Sequence, residues 1–374
     1  MKFATKLLHA PSKLSDPYEA MATPIYQTAT FAQEHADSFG SFDYSRSGNP
    51  TRAILEEQVA ALEHGTHGYA FASGMAALAA LMRLLRPGDE VLADWDVYGG
   101  TSRLLASSLE RANIRVHYAN ATDTTSFASS ITSSTRLILL ESPTNPLLRI
   151  LDLQAIANIA KAAGCLFAVD NSTLSPYLQN PLELGADLVI HSATKYLGGH
   201  SDVTGGLILV KAEKLAKEIA FIQNSEGSAL GPFDSFLILR GLKTLKLRMD
   251  AQQQNAMKIA EYLSHRYEVH YPGLTTHPGH DIQLRQARGF GSVLSFRAKT
   301  VEQAKRVTEN TKLFKIAVSF GSVHSTISMP SAMSHASVPA DLREARGIPA
   351  ELVRLSIGAE DAEDLIEDLE RSLQ

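Results

Sequence analysis

Asp187-Leu188-Val189-Ile190-His191-Ser192-Ala193-Thr194-Lys195-Tyr196-Leu197-Gly198-Gly199-His200 decides the reading of this chain. A short apolar run of strand length gives way at once to two hydroxyls, a lysine and a glycine pair. Upstream, Leu166-Phe167-Ala168-Val169 ends in the same manner on Asp170. Two buried strands that finish side by side would bring a hydroxyl pair, an amine and a carboxylate to one ligand.

The surrounding sequence supplies the frame for such a meeting. Strand-like runs recur at residues 68–71, 90–93, 114–118, 137–140, 166–169, 188–190 and 207–210, with helical patterns between them. Asn49 with Pro50 opens one helix, Ser73-Gly74-Met75 opens a second, and Asp152 with a terminal Gly164 brackets a third. Alternating elements of this kind predict an α/β fold, with a mostly parallel sheet covered by helices on both faces. Ligands in such sheets collect beyond the carboxyl ends of the strands, where Asp170 and Lys195 fall. From about residue 236 the pattern changes to one long helical stretch, 236–263, then strands at 292–296 and 353–357 and a final helix through Leu365, Ile366, Leu369 and Leu373. This predicts a smaller C-terminal α+β domain. The opening residues, with Pro11, Pro17 and Pro24 and no clear period, predict an extended arm. The expected division is 1–45, 46–235 and 236–374.

Bulk composition narrows the function classes. The chain has 374 residues, is 44% hydrophobic and carries a net charge of −5 with acids and bases interspersed, which gives nucleic acid or an anionic membrane nothing to grip. No apolar run approaches a membrane span, and the lysines at 2, 6 and 13 are not followed by a signal-peptide apolar region, so a cytoplasmic protein is expected. Cys165 is the single cysteine, which excludes an internal disulfide. Thirteen histidines show no metal-ligand spacing, and His277 and His280 read as loop residues, so no metal is expected.

An amine, an acid and hydroxyl donors are what pyridoxal phosphate needs for its aldehyde, its ring nitrogen and its phosphate. The same four residues, Ser192 to Lys195, also spell the S-x-x-K of penicillin-binding serine hydrolases. That reading needs later S-D-N and K-T-G partners, and the chain has only Ser201-Asp202-Val203, too near, and Lys243-Thr244-Leu245. Asp170 either caps a turn or holds a pyridine nitrogen protonated. Gly74 and Met75 at a helix start offer backbone N–H groups to a phosphate. Tyr44 and Arg46, two apart, would share one side of an extended segment and suit a phosphate, or be ordinary loop residues. Tyr98 is a core tyrosine or one that stacks on a planar ring. Arg354 alternates with Val353, Leu355 and Ile357, which fits a solvated strand face or a carboxylate clamp.

Together the segments resemble the Cys/Met metabolism family of pyridoxal-phosphate enzymes over nearly the whole chain, from Ala4-Thr5-Lys6-Leu7-Leu8-His9 to Glu363-Asp364-Leu365-Ile366. The resemblance rests on Tyr44-Ser45-Arg46-Ser47-Gly48-Asn49-Pro50-Thr51, Ser73-Gly74-Met75, Glu141-Ser142-Pro143-Thr144-Asn145-Pro146 and His191-Ser192-Ala193-Thr194-Lys195. Three further stretches, Gln223 to Ser228, Ala317 to Val323 and Met333 to Ser337, are similar to the plant-type β-lyase branch of that family. Family-like sequence starts almost at Met1, so no plastid-targeting extension is expected. The resemblance implies the aminotransferase-like fold of type I and β-elimination of L-cystathionine, with γ-lyase, γ-synthase or sulfhydrylase chemistry as the alternative. It implies Lys195 as covalent anchor of the cofactor, Asp170 at its ring nitrogen, Gly74, Met75, Ser192 and Thr194 at its phosphate, and Tyr98 on its ring. Lys195 and Tyr98 would move protons. Ser319, Arg354 and Asn145 would bind the substrate, a sulfur amino acid. Tyr44 and Arg46 would enter a neighbour's phosphate site, making a homodimer the smallest active unit and a homotetramer the expected assembly. His324 departs from the family pattern, which has glutamate there in many γ-synthases and γ-lyases and lysine in the plant-type β-lyases.

Overall fold

The structure is a computed structural model that describes the chain apart from residues 10–13, 15, 335 and 337–339. Pro11, Lys13, His335 and Ser337 therefore lie outside the described residues.

Seven strands form the larger sheet: β1 (His67–Phe71), β2 (Glu90–Asp94), β3 (Arg115–Ala119), β4 (Thr135–Glu141), β5 (Leu166–Asp170), β6 (Leu188–Ser192) and β7 (Gly206–Val210), in the order β1-β7-β6-β5-β4-β2-β3. Strands β3, β2, β4, β5 and β6 run parallel, and β7 runs antiparallel to both of its neighbours. Period-two alternation splits the central strands between two cores. Ile138, Leu140, Phe167, Val169 and Val189 enter one. Leu137, Leu139, Ala168, Leu188 and Ile190 enter the other, with Ala77, Leu78 and Leu81 of the helix Gly74–Met82. Burial on both faces explains why these strands read as continuous apolar runs.

The predicted helix starts and stops are present. Asn49 Oδ1 accepts from Thr51 N at 3.0 Å with Pro50 at the first turn, and Asp152 Oδ1 accepts from Ala155 N at 3.0 Å. Gly164 closes that second helix in the left-handed region, at φ 68°.

The long helix expected at 236–263 is two helices, Pro232–Leu242 and Leu245–Ser264. The Arg248 guanidinium takes the Gly241 carbonyl (2.9 Å) and the Tyr196 carbonyl (2.8 Å), and Thr244 N turns back to the same Gly241 oxygen at 3.2 Å. A carbonyl claimed by this tight turn and by a side chain ends the helical ladder there. Residues 3–8, expected as part of an unpatterned arm, form a short helix pinned by burial of Leu7 and by Gln58 Nε2 donating to Leu7 O at 2.8 Å.

The second sheet has five strands, β8 (Glu268–His270), β9 (Val293–Arg297), β10 (Lys315–Ile316), β11 (Thr326–Ser328) and β12 (Leu352–Ser356), in the order β10-β11-β12-β9-β8. Val353 and Leu355 face a third core shared with Leu365 and Leu369 of the last helix. Arg354 points the opposite way and is only 2% exposed, so its face of β12 is not the solvated one. His280, read as a loop residue, begins the helix His280–Gln286 and stacks on Phe290 at 5.6 Å. Among the described residues no helix is long and apolar enough to cross a membrane, and no cluster of three His, Cys, Asp or Glu could hold a metal.

Candidate active site

Strand ends converge on one cavity of about 360 Å³. Its lining includes Gly74, Met75, Tyr98, Asn145, Asp170, Ser192, Thr194, Lys195, Ser319 and Arg354. These positions span more than half the chain, and the two sheets bring them together. A roomier cleft of about 1110 Å³ lies elsewhere, between Arg149, His277 and Glu351, and none of the predicted site residues lines it.

On β5 and β6, Asp170 and Ser192 fall on the same face, because each is an even step from Ala168 and Ile190. Ser172 N donates to Asp170 Oδ1 at 3.0 Å, and the Ser172 hydroxyl accepts from Ser192 N at 2.6 Å, so one turn ties both strand ends together. Asp170 is half-buried because it opens onto the cavity, while protein packs densely around it. Burial raises its carboxyl above the ordinary value, opposed by the Ser172 bonds and by the charges of His191 and Lys195.

Lys195 donates from Nζ to Ser319 Oγ at 2.6 Å and lies 4.9 Å above the Phe320 ring. Desolvation, followed by repulsion from Arg354, lowers its pKa to about 8. Ser319 holds φ at 79°, the left-handed region, which is costly for a residue with a side chain and is found at functional turns. The same residue accepts from Arg354 Nη2 through its backbone oxygen at 2.6 Å. Arg354 Nη1 donates to Asn145 Oδ1 at 3.2 Å, and Nε is buried with no partner.

Ser73 Oγ caps the helix Gly74–Met82 by accepting from Ala76 N at 3.1 Å. Close approach needs glycine at two points here. A Cβ on Gly74 would stand 2.9 Å from Ser192 Cβ, and one on Gly206 would stand 2.2 Å from Ser73 O. The helix N-terminus is thereby pressed against the hydroxyls of β6, leaving N–H donors and hydroxyls on one wall. Amine, carboxylate, anion cradle, an aromatic ring at Tyr98 and an orphaned guanidinium N–H together fit pyridoxal phosphate with an amino acid beside it.

Tyr44 and Arg46 do not join this cavity. Both are exposed; Arg46 Cζ lies 5.3 Å over the Tyr44 ring and its Nε donates to Asn224 Oδ1 at 3.2 Å. The segment is a turn rather than the extended stretch expected, with Ser47 N and Gly48 N both returning to Tyr44 O at 3.0 Å, and this turn brings the two side chains together. His324 is exposed and is not among the residues lining the cavity.

Sequence reasoning passed over Glu141, Ser172, Phe320 and Arg103, all of which line the cavity. Glu141 was findable: it ends β4 as Asp170 ends β5. Ser172, Phe320 and Arg103 lie in segments without period, where pattern carries no direction.

The chain belongs to the Cys/Met metabolism PLP-dependent enzyme family, whose model matches residues 4–374. It is similar to chloroplastic cystathionine β-lyase of Arabidopsis thaliana, with 53% identity over 98% of this chain and 80% of that one. It is also similar to cystathionine γ-lyase of Bacillus subtilis strain 168, with 47% identity over the full length of both. Among solved structures, cystathionine γ-lyase from Lactobacillus plantarum, complexed with L-serine, superposes with a TM-score of 0.97 at 42% identity, covering 100% of this chain and 98% of that one. The fold is the one these pyridoxal-phosphate enzymes share, and the protein is a pyridoxal-phosphate-dependent carbon–sulfur lyase.

Proposed function

We propose that the protein cleaves L-cystathionine by β-elimination, giving homocysteine, pyruvate and ammonia. One observation carries the site chemistry: Ser319 accepts from Lys195 on its hydroxyl and from Arg354 on its carbonyl. A substrate whose carboxylate rests on Arg354 would then present its Cα to the Lys195 amine. The similarity to the Arabidopsis β-lyase favours the β over the γ bond.

When bound, pyridoxal phosphate supplies the electron sink that makes the substrate's Cα proton acidic. Lys195 would hold the cofactor through its amine and, as the amine beside the substrate's Cα, would take that proton. Asp170 would face the ring nitrogen, where pairing with the protonated nitrogen would favour its charged form. Ser192, Thr194 and the N–H groups of Gly74 and Met75 hold the phosphate, and Tyr98 covers the ring. Lys195 or Tyr98 then gives a proton to the departing sulfur. Arg354, Ser319 and Asn145 bind the α-carboxylate end, and Arg103 brings a second guanidinium to the cavity, suited to the distal carboxylate.

Homocysteine with pyruvate is the expected outcome when cystathionine is supplied. Cysteine with 2-oxobutyrate would assign the γ-lyase reaction that the Bacillus relative's name describes. The rate of cofactor uptake by the cofactor-free protein is expected to rise about tenfold between pH 7 and pH 9, because only the neutral amine attacks the aldehyde. A flat profile in stopped-flow absorbance would place the pKa of Lys195 away from its value of about 8.

The proposed division is 1–45 as an arm toward a neighbouring subunit, 46–235 as the cofactor domain and 236–374 as the C-terminal domain. Exposure of Tyr18 (90%), Met21 (98%) and Phe39 (73%) supports an arm completed by a second copy. Tyr44 and Arg46 would reach that copy's phosphate, in a homodimer that pairs into a tetramer. The cytoplasm is the proposed compartment.

A further inference from the structure

Glu141 ends β4 directly opposite Asp170 of β5, the two residues being register partners on parallel strands. Alternation from Leu139 and Ala168 puts both carboxylates on the same face of the sheet, and both line the cavity. Their hydrogen bonding differs. Asp170 accepts from Ser172 N at 3.0 Å and has the Lys195 amine nearby. Among the described residues Glu141 accepts one bond, from Tyr98 N at 3.2 Å, and it is 7% exposed. That bond fixes the turn from which the Tyr98 ring projects; the Tyr98 side chain itself gives no cap to the helix Gly99–Leu104 that follows.

Two carboxylates enclosed side by side on neighbouring strands disfavour each other's ionisation. The charged groups around Glu141 are Asp170 on β5, Asp96 after β2, Lys195 after β6 and Arg354 on β12. Asp96 is itself buried and accepts from Thr144 Oγ1 at 2.5 Å. Two acids thus press on Glu141 at close quarters, and burial, Asp170 and Asp96 together hold its carboxyl well above the usual range.

We propose that Glu141 is the neutral member of this carboxylate pair: a positioning residue that holds the Tyr98 turn over the cofactor ring and leaves Asp170 as the one negative charge at the ring nitrogen. The proposal rests on the roles given above to Asp170 and Tyr98. It also accounts for two acids where the cofactor needs one.

Three holoenzyme variants test it, each read by pyridoxal-phosphate dissociation and by the pH titration of the visible absorbance band. Glu141→Gln keeps an oxygen for Tyr98 N and an N–H where the acid has O–H, so band, titration and dissociation constant should stay within about threefold of the parent. Glu141→Ala strands the Tyr98 N–H and should raise the dissociation constant about tenfold. Asp170→Asn should shift the band and its titration. A Glu141→Gln protein that shifts its band as Asp170→Asn does overturns the proposal, since the carboxylate is then needed ionised. Parental cofactor affinity in Glu141→Ala overturns the positioning role. If Asp170→Asn leaves the band unmoved, the Asp170 assignment fails first and takes the pair with it. Should Glu141→Ala not fold, the Glu141→Gln titration decides alone.

Discussion

Lys195→Ala is expected to yield a folded protein that binds pyridoxal phosphate reversibly at best, shows no protein-linked visible band, and turns over cystathionine at least about 10³-fold more slowly. The amine has two tasks, anchoring the aldehyde and moving the Cα proton, and among the described residues no second lysine lines the cavity for either. Folding should survive. Lys195 is held at a cavity wall against Ser319 Oγ and the Phe320 ring, and desolvation already disfavours its charge. Truncation therefore removes a partly buried cation rather than a core side chain, and the melting temperature should hold or rise. Circular dichroism, absorbance and product assay on the same sample give the answer. Persistence of both the band and the turnover would remove Lys195 from the centre of the site.

How much of this was legible in sequence depends on the reach of local pattern. The inner strands of the larger sheet, β2 and β4 to β7, announced themselves because burial on both faces makes each a short apolar run, and Asp170 and Lys195 stood out as polar endings to such runs. The same logic applied to Glu141, yet a lone acid after Leu140 says nothing until β4 is known to lie beside β5 with Glu141 opposite Asp170. Adjacency is a property of topology, and no periodicity encodes it. Arg354 shows the limit from the other side. Its alternation with Val353 and Leu355 was legible, but an arginine facing away from a core normally meets water. Here that face looks toward the strand ends of the first sheet through Asn145. The break between Leu242 and Leu245 was invisible because its cause, the Arg248 guanidinium on the Gly241 and Tyr196 carbonyls, joins residues far apart in sequence. Tyr44 and Arg46 stand together because a turn folds the chain there, which their two-residue spacing did not reveal.

Arg354→Leu should lower kcat/KM for cystathionine about 10²- to 10³-fold, mostly through KM, since a carboxylate clamp grips substrate and transition state alike. The guanidinium is fully enclosed, yet the acceptors it has, Asn145 Oδ1 and Ser319 O, are neutral, and Nε has none among the described residues. A buried cation with no ion pair among the described residues is poorly compensated: desolvation pulls its pKa down to about 10, which still leaves it charged at neutral pH. The free enzyme therefore carries a desolvated charge whose natural partner is the incoming α-carboxylate. Removing that charge should leave the melting temperature unchanged or higher, the opposite of what loss of a structural ion pair produces. Arg354→Lys should not rescue the activity, because an ammonium cannot reproduce two parallel N–H donors while keeping the bonds to Asn145 and Ser319. A variant with parental KM, or one that recovers on lysine substitution, would show that the substrate's carboxylate binds elsewhere in the cavity. Arg103 would then be the guanidinium to test next.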